Sequence, residues 1–234
     1  HFRTGLEVER KPDGSEVTVA DRAAEAAARE WIRRRFPEDA ILGEELGHEE
    51  GAGGRRWIID PIDGTRSFVR GVPLWGSLIA VEELGVLIGG AINCAATGDL
   101  LVAYRGAGCW HNGSRTTVST TKTLADATIL CTDARFPAHP HRARRWNALS
   151  ERASVVRSWG DCYGYMLVAT GRAELMVDDR LGPWDVAAVI PVIEEAGGVI
   201  TDWQGQGGIG LDAIATNASL AGELRQWLGV PTAE

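Results

Sequence analysis

The stretch "WIIDPIDGTRSF", residues 57–68, starts as an apolar run and then places two carboxylates, Asp60 and Asp63, around Pro61 with Gly64 directly after. Trp57 to Ile59 reads as a short strand that stops at Pro61, because proline cannot donate to a ladder. Asp63-Gly64 by itself fits a turn. A second reading is open. An extended backbone through Pro61 would aim Asp60 and Asp63 into one pocket, with the Ile62 carbonyl between them as a neutral ligand. A short helix starting at Gly64-Thr65 would then offer free N–H groups as a phosphate seat.

Working outward, other acids stand where strands and helices begin or end. Val19 to Phe36 reads as a helix, with Asp21 near its start, Arg33, Arg34 and Arg35 in its last turn, and Pro37 after it. Ala40 to Leu42 is a short strand that runs into Gly43-Glu44-Glu45. Asp185 opens "PWDVAAVIPVIEEAGG", residues 183–198, whose apolar positions 186, 189, 190 and 193 give a buried helical face ended by Gly197-Gly198. Hard divalent cations take oxygen ligands, one or two carboxylates each plus water and phosphate oxygens. These acids either converge on such ions or are unrelated caps and turns, and spacing leaves both readings open.

Around these segments the chain divides into two lobes, residues 1–125 and 126–234. In the first, the acidic, glycine-rich stretch 47–54 is expected to be a mobile loop. Leu74 to Val81, Val86 to Asn93 and Leu100 to Tyr104 read as antiparallel strands, and Trp110-His111-Asn112-Gly113 as a turn. The polar stretch 114–128 reads as a hinge without a core of its own. The second lobe alternates: strand 128–132, helix 142–150, strand 155–158, helix 162–170 and strand 173–177 precede Asp185, while strands 199–202 and 213–216 and helix 219–228 follow it. "GQGGIG" lacks the strand-then-helix setting of a dinucleotide loop.

The 234 residues carry 32 acidic against 24 basic side chains, a net charge of -8, which argues against general binding of nucleic acid or anionic membrane. An anionic substrate would need a local cation. Glu82 and Glu83 break the longest apolar run, so no segment reaches the roughly 18 residues of a membrane span. Cys94, Cys109, Cys131 and Cys162 are scattered, and the five histidines show no ligand spacing, so a reduced, cytoplasmic protein without a zinc site is expected. The chain opens at His1-Phe2 rather than methionine, which leaves an upstream segment open.

"GEE" at 43–45, "WIIDPIDGT" at 57–65 and "PWDVAAVIPVIEEAGG" at 183–198, with "VTVAD" at 17–21 upstream, resemble in order and spacing the magnesium-dependent, lithium-sensitive inositol monophosphatase-like phosphatases. The resemblance covers nearly the whole chain. It implies an α+β fold, the layered α/β/α/β/α sandwich shared with fructose bisphosphatase, and a cytoplasmic homodimer. It also implies Mg2+ held by Glu44, Asp60, the Ile62 carbonyl, Asp63 and Asp185. Asp21 matches an acid near a third, weaker metal position. Thr65 with Glu44 would position the attacking water, Gly64 and Thr65 would give phosphate-binding amides, and hydrolysis would proceed without a phospho-enzyme.

In the second lobe "WGDCYGY", residues 159–165, resembles the histidinol-phosphate phosphatase branch. Asp161 falls where the family contacts substrate, and Asp178 where inositol enzymes place a glutamate. The implied reaction is hydrolysis of L-histidinol phosphate in histidine biosynthesis. Asp161 could pair with the substrate ammonium or simply cap the helix at Cys162, and Tyr163 and Tyr165 read as core or wall residues. The alternatives are an inositol, sugar or nucleotide monophosphatase, or a regulatory relative that acts through a protein partner.

Overall fold

Thr18 fixes the start of the first helix, α1 (Val19–Arg35): its hydroxyl accepts from the Ala20 amide, while its own N–H and hydroxyl donate to Asp21 Oδ2 at 2.8 and 2.7 Å. This capping box satisfies N–H groups that a helix start leaves open. The computed structural model describes residues 1–12 and 14–231. A small hairpin, β1 (Glu9–Arg10) with β2 (Glu16–Val17), precedes α1. The buried face of α1 is partly charged, and Arg29 pairs with Glu25 at 2.8 Å. Glu25 also accepts the Glu45 and Leu46 amides, which ties α1 to the turn carrying Glu44. Gly43 permits the approach, since a Cβ there would lie 1.9 Å from the Glu25 carboxylate.

That turn belongs to an eight-stranded sheet in the order β10-β9-β8-β7-β6-β5-β3-β4. Its strands are β3 (Ala40–Gly43), β4 (Gly47–Glu49), β5 (Arg55–Asp63), β6 (Gly76–Glu83), β7 (Val86–Cys94), β8 (Asp99–Tyr104), β9 (Gly108–His111) and β10 (Ser114–Thr116). Only β3 and β5 run parallel. A short helix, α2 (Thr65–Val69), leaves the end of β5. The second sheet, order β12-β11-β13-β15-β14, holds β11 (Thr128–Cys131), β12 (Val155–Arg157), β13 (Leu175–Asp178), β14 (Val199–Thr201) and β15 (Ala213–Thr216).

Between the sheets lie α4 (Asp161–Ala169), α5 (Pro183–Ala187) and α6 (Val189–Glu195), while α3 (His141–Ser150) and α7 (Ala221–Leu228) cover the far face of the second sheet. With α1 outside the first sheet, the layers run α/β/α/β/α. One core joins Leu78, Ile92 and Leu101 to Met166, Val189, Ile193 and Met176; another packs Trp146, Leu149 and Leu224 on Leu175, Val177 and Ile214. Residues of β13 therefore alternate between two cores and are buried on both faces, as a central strand with covered faces must be. The helical layer sits close to β7: a Cβ on Gly90 would lie 2.3 Å from the Ala188 carbonyl oxygen, where α5 and α6 meet.

Three local expectations are corrected. β5 does not stop at Pro61 but runs to Asp63 through a bulge, the register with β6 shifting between Asp60 and Asp63. A bulge asks no ladder hydrogen bond of the proline. The 47–54 stretch is not wholly loop: β4 pairs with β3, and Arg29 and Arg33 hold Glu49. The 114–128 stretch is fastened rather than hinge-like. The Val118 amide donates to the Ala196 carbonyl, and the Asn217 side chain donates to Ser119 Oγ at 3.0 Å and the Thr121 carbonyl at 2.8 Å. No helix among the described residues is long and apolar enough to cross a membrane.

Candidate active site

The β5 bulge turns Asp60 and Asp63 toward Asp185, which enters from the first turn of α5 with Oδ2 accepting the Gly182 amide at 2.7 Å. One oxygen from each of these three carboxylates lies within 4.8 Å of the others. Burial first, then the charges of Asp63, Glu44 and Asp185, push the Asp60 pKa well above its ordinary value. Burial likewise raises Asp63, with Asp161, Asp185 and Asp178 adding to it, and raises Asp185. Asp60 is 1% exposed, and its Oδ1 finds no hydrogen-bond partner among the described residues. Converging buried anions with an orphaned oxygen are costly unless a cation joins them. An all-oxygen donor set suits a hard divalent ion, so the residues fit the metal that the sequence motifs imply.

Glu44 joins this cluster from the end of β3, where burial raises its pKa and Lys11 opposes the rise. Lys11 reaches in from the N-terminal hairpin, with Nζ 2.9 Å from Glu44 Oε1 and 2.6 Å from Glu45 Oε1. Its position was not read from the sequence, although "KPDGS" stands only a few residues before Asp21.

Gly64 takes a left-handed φ of 84° and caps α2, its carbonyl accepting the Ser67 and Phe68 amides. The first N–H groups of α2 are thereby left without helical partners. Thr65 Oγ1 lies 2.9 Å from the Ile62 carbonyl and 3.3 Å from Asp21 Oδ1, so its single proton is committed to one of these two oxygens. Asp21 is fully buried and held by Thr18 on its other oxygen, so it touches the cluster through Thr65.

These groups open into a cleft of about 790 Å³ whose walls include Glu44, Gly64, Thr65, Thr132, Asp161, Asp178 and Asp185. Asp161 has φ of 51°, a left-handed conformation uncommon for a side-chain-bearing residue and often found at functional sites. Its amide donates to Thr132 Oγ1 at 2.9 Å, while its carboxylate takes no hydrogen bond among the described residues and does not cap α4, which starts at Asp161 itself behind Gly160. The cap reading is therefore not what this side chain does. Burial lifts its pKa to about 6 against the opposing Arg66 charge.

Asp178 accepts the Tyr165 hydroxyl at 2.7 Å, and burial lifts it to about 7 although Thr132 and Tyr165 oppose the rise. Tyr165 is thus a core residue with a polar end aimed at the site, whereas Tyr163 is only half-buried. Asp63 and α4 are joined directly, the Cys162 amide donating to Asp63 Oδ2 at 2.5 Å. Arg66, Thr132 and this Cys162 amide escaped sequence reading: Arg66 and Cys162 stand inside quoted motifs, but neither an arginine in a short helix nor a backbone amide after Asp161 marks a site until the fold brings it to one. His48, in β4, does not line the cleft.

Residues 1–228 match the profile of the inositol monophosphatase family. The histidinol-phosphatase of Chlorobaculum parvum is 44% identical over 97% of this chain and 88% of its own length, and that of Mycobacterium tuberculosis 39% identical over 94% and 86%. The structure of the extragenic suppressor protein suhB from Bartonella henselae superimposes with a TM-score of 0.90 at 31% identity, covering 95% of this chain and 88% of that one. The layered sandwich, the carboxylate cluster at its strand ends and these matches have one reading: the chain is a phosphatase-type enzyme that belongs to the inositol monophosphatase family.

Proposed function

We propose that the protein is a magnesium-dependent phosphomonoesterase whose substrate is L-histidinol phosphate. The observation that carries the substrate assignment is the contrast within one cleft. At one place Asp60, Asp63 and Asp185 form a cluster suited to a metal; on the wall, Asp161 presents a carboxylate with no hydrogen-bonded partner among the described residues. A cationic leaving group supplies the hydrogen-bonded partner that Asp161 lacks, whereas a neutral polyol would leave its carboxylate with the Arg66 charge alone. The similarity to histidinol-phosphatases supports the same choice.

Asp60, Asp63 and Asp185, with Glu44 beside them, would hold the cation. When bound there it would neutralise phosphate charge and activate water for attack. The remaining work falls to the chain's own groups. Thr65 gives its proton to Asp21 Oδ1 or to the Ile62 carbonyl, which leaves Oγ1 as an acceptor for one proton of the attacking water. Glu44 is the second acceptor on that side. Passing Thr65's proton to Asp21 also frees the Ile62 carbonyl, the neutral ligand that the sequence suggested. The amides of Gly64 and Thr65, at the start of α2, receive the phosphate, and Asp161 orients the leaving alcohol through its ammonium.

A second reading, inositol monophosphatase, has Asp178 in its favour, since its carboxylate lines the cleft and can accept from a sugar hydroxyl. Phosphate release from L-histidinol phosphate and from myo-inositol 1-phosphate, measured side by side with and without Mg2+, separates the two. Faster magnesium-dependent turnover of the histidinol ester is expected. Equal or greater turnover of the inositol ester would overturn the substrate assignment.

A further inference from the structure

Asp178 and Asp179 are neighbours at the end of β13, yet they serve different parts of the molecule. Asp178 faces Tyr165 at the cleft. Asp179 instead gathers the segment between β11 and α3. Its Oδ2 accepts the Ala138 and His139 amides at 2.7 and 3.0 Å, and its Oδ1 meets His139 Nδ1 at 2.9 Å and Arg142 Nη1 at 3.0 Å. Arg142 is almost completely buried and spans to Asp212 at 2.7 Å, with its guanidinium 4.3 Å from the centre of the Trp203 ring. Asp212 in turn accepts the Trp203 amide, and the Trp203 indole donates to the Asp178 carbonyl. The network thus reaches back to the backbone of Asp178, a residue that lines the cleft.

Among the described residues the gathered segment has no sheet partner of its own. Phe136 anchors its middle, fully buried against Trp146 and Trp203 in a left-handed conformation with φ of 49°. Such a backbone persists only when its surroundings hold it. Residues flanking that anchor, Asp133, Arg135 and Pro137, form a wall of the cleft. Phe136 holds the segment from below; Asp179 holds the limb that follows Pro137. The Asp179 charge is matched by Arg142, and a buried carboxylate so satisfied by two amides and a guanidinium is a rigid fastening.

We propose that Asp179 is a positioning residue for the 132–139 wall, and that through this wall it sets which leaving group the cleft accepts. It rests on the reading of the cleft as a phosphomonoester site, but not on which ester is natural. A wall that yields by an ångström lets the leaving group shift, while the phosphate remains gripped by groups outside that wall. Discrimination between esters therefore suffers more than hydrolysis of a small one.

The test is the ratio of kcat/KM for L-histidinol phosphate to that for glycerol 2-phosphate, in wild type and in Asp179→Asn, with Mg2+ present. Asparagine keeps the shape but loses the charge and turns an N–H toward the backbone amides or Arg142. The ratio is expected to fall about tenfold or more, through KM of the larger ester. A merely structural role would lower both esters together and leave the ratio unchanged, and an unchanged ratio in a folded variant overturns the proposal. Should Asp179→Asn not fold, Pro137→Gly loosens the same wall without touching the buried ions and must shift the ratio in the same direction; an unshifted ratio there overturns the proposal. If wild type does not cleave L-histidinol phosphate, the substrate reading falls, and the ratio is taken with the bulkiest ester that wild type does cleave.

Discussion

Asp60 carries a buried carboxylate whose Oδ1 takes no hydrogen bond among the described residues and is costly there without a proton or a cation, which sets opposite demands on stability and on catalysis. Asp60→Asn removes one of the repelling charges, so the metal-free protein is expected to gain about 1–3 kcal/mol while hydrolysis is lost. Chemical denaturation in EDTA, beside a phosphate-release assay, checks both. Asp178 gives a pH-dependent counterpart. Its folded pKa of about 7 exceeds its ordinary value, so between the two the native state holds a proton that the unfolded state has released. Its contribution to stability therefore falls as pH rises through that window. In metal-free protein, the advantage of Asp178→Asn over wild type should be largest above pH about 7 and vanish toward pH 4, as followed by thermal melting. Asp161→Asn should raise KM for L-histidinol phosphate roughly tenfold or more; an unchanged KM would remove Asp161 from the ammonium site.

Elements explain why some of this was legible and some was not. The helix over 19–36 follows from local signals: Asp21 near its start, three arginines in its last turn and a proline directly after it. The passage of β5 through Pro61 does not, because a proline reads as a stop and the bulge that excuses it is set by the register with β6. The 114–128 stretch looked unattached for a similar reason, as the Asn217 donors that fasten it arrive from far along the chain. Close approach between layers is equally invisible in sequence. Gly90→Ala should press a methyl onto the Ala188 carbonyl and cost roughly 1–3 kcal/mol or more in equilibrium unfolding. A neutral outcome would mean that α5 and α6 can slide over β7.

Across the whole molecule the site is a product of layering. Asp60 and Asp63 leave the first sheet, Asp185 starts the helix between the sheets, and Asp161 opens another helix of that same layer, so the cleft forms where both sheets and the central layer meet. Each acid's type and neighbours stood in the sequence motifs, which is why the metal-site candidates could be named. Their convergence could not be read from spacing, because Asp63 and Asp185 are joined only by the fold. The clamp of Asp179 on the cleft wall was less visible still, since no motif contains it. Activity is expected to depend most on three distant carboxylates sharing a cation, and an anomalous difference map from crystals soaked in Mn2+ tests that directly. A peak bridged by Asp60, Asp63 and Asp185, absent in Asp63→Asn, is the expected result; no peak there in protein that hydrolyses phosphate esters at full rate would contradict it.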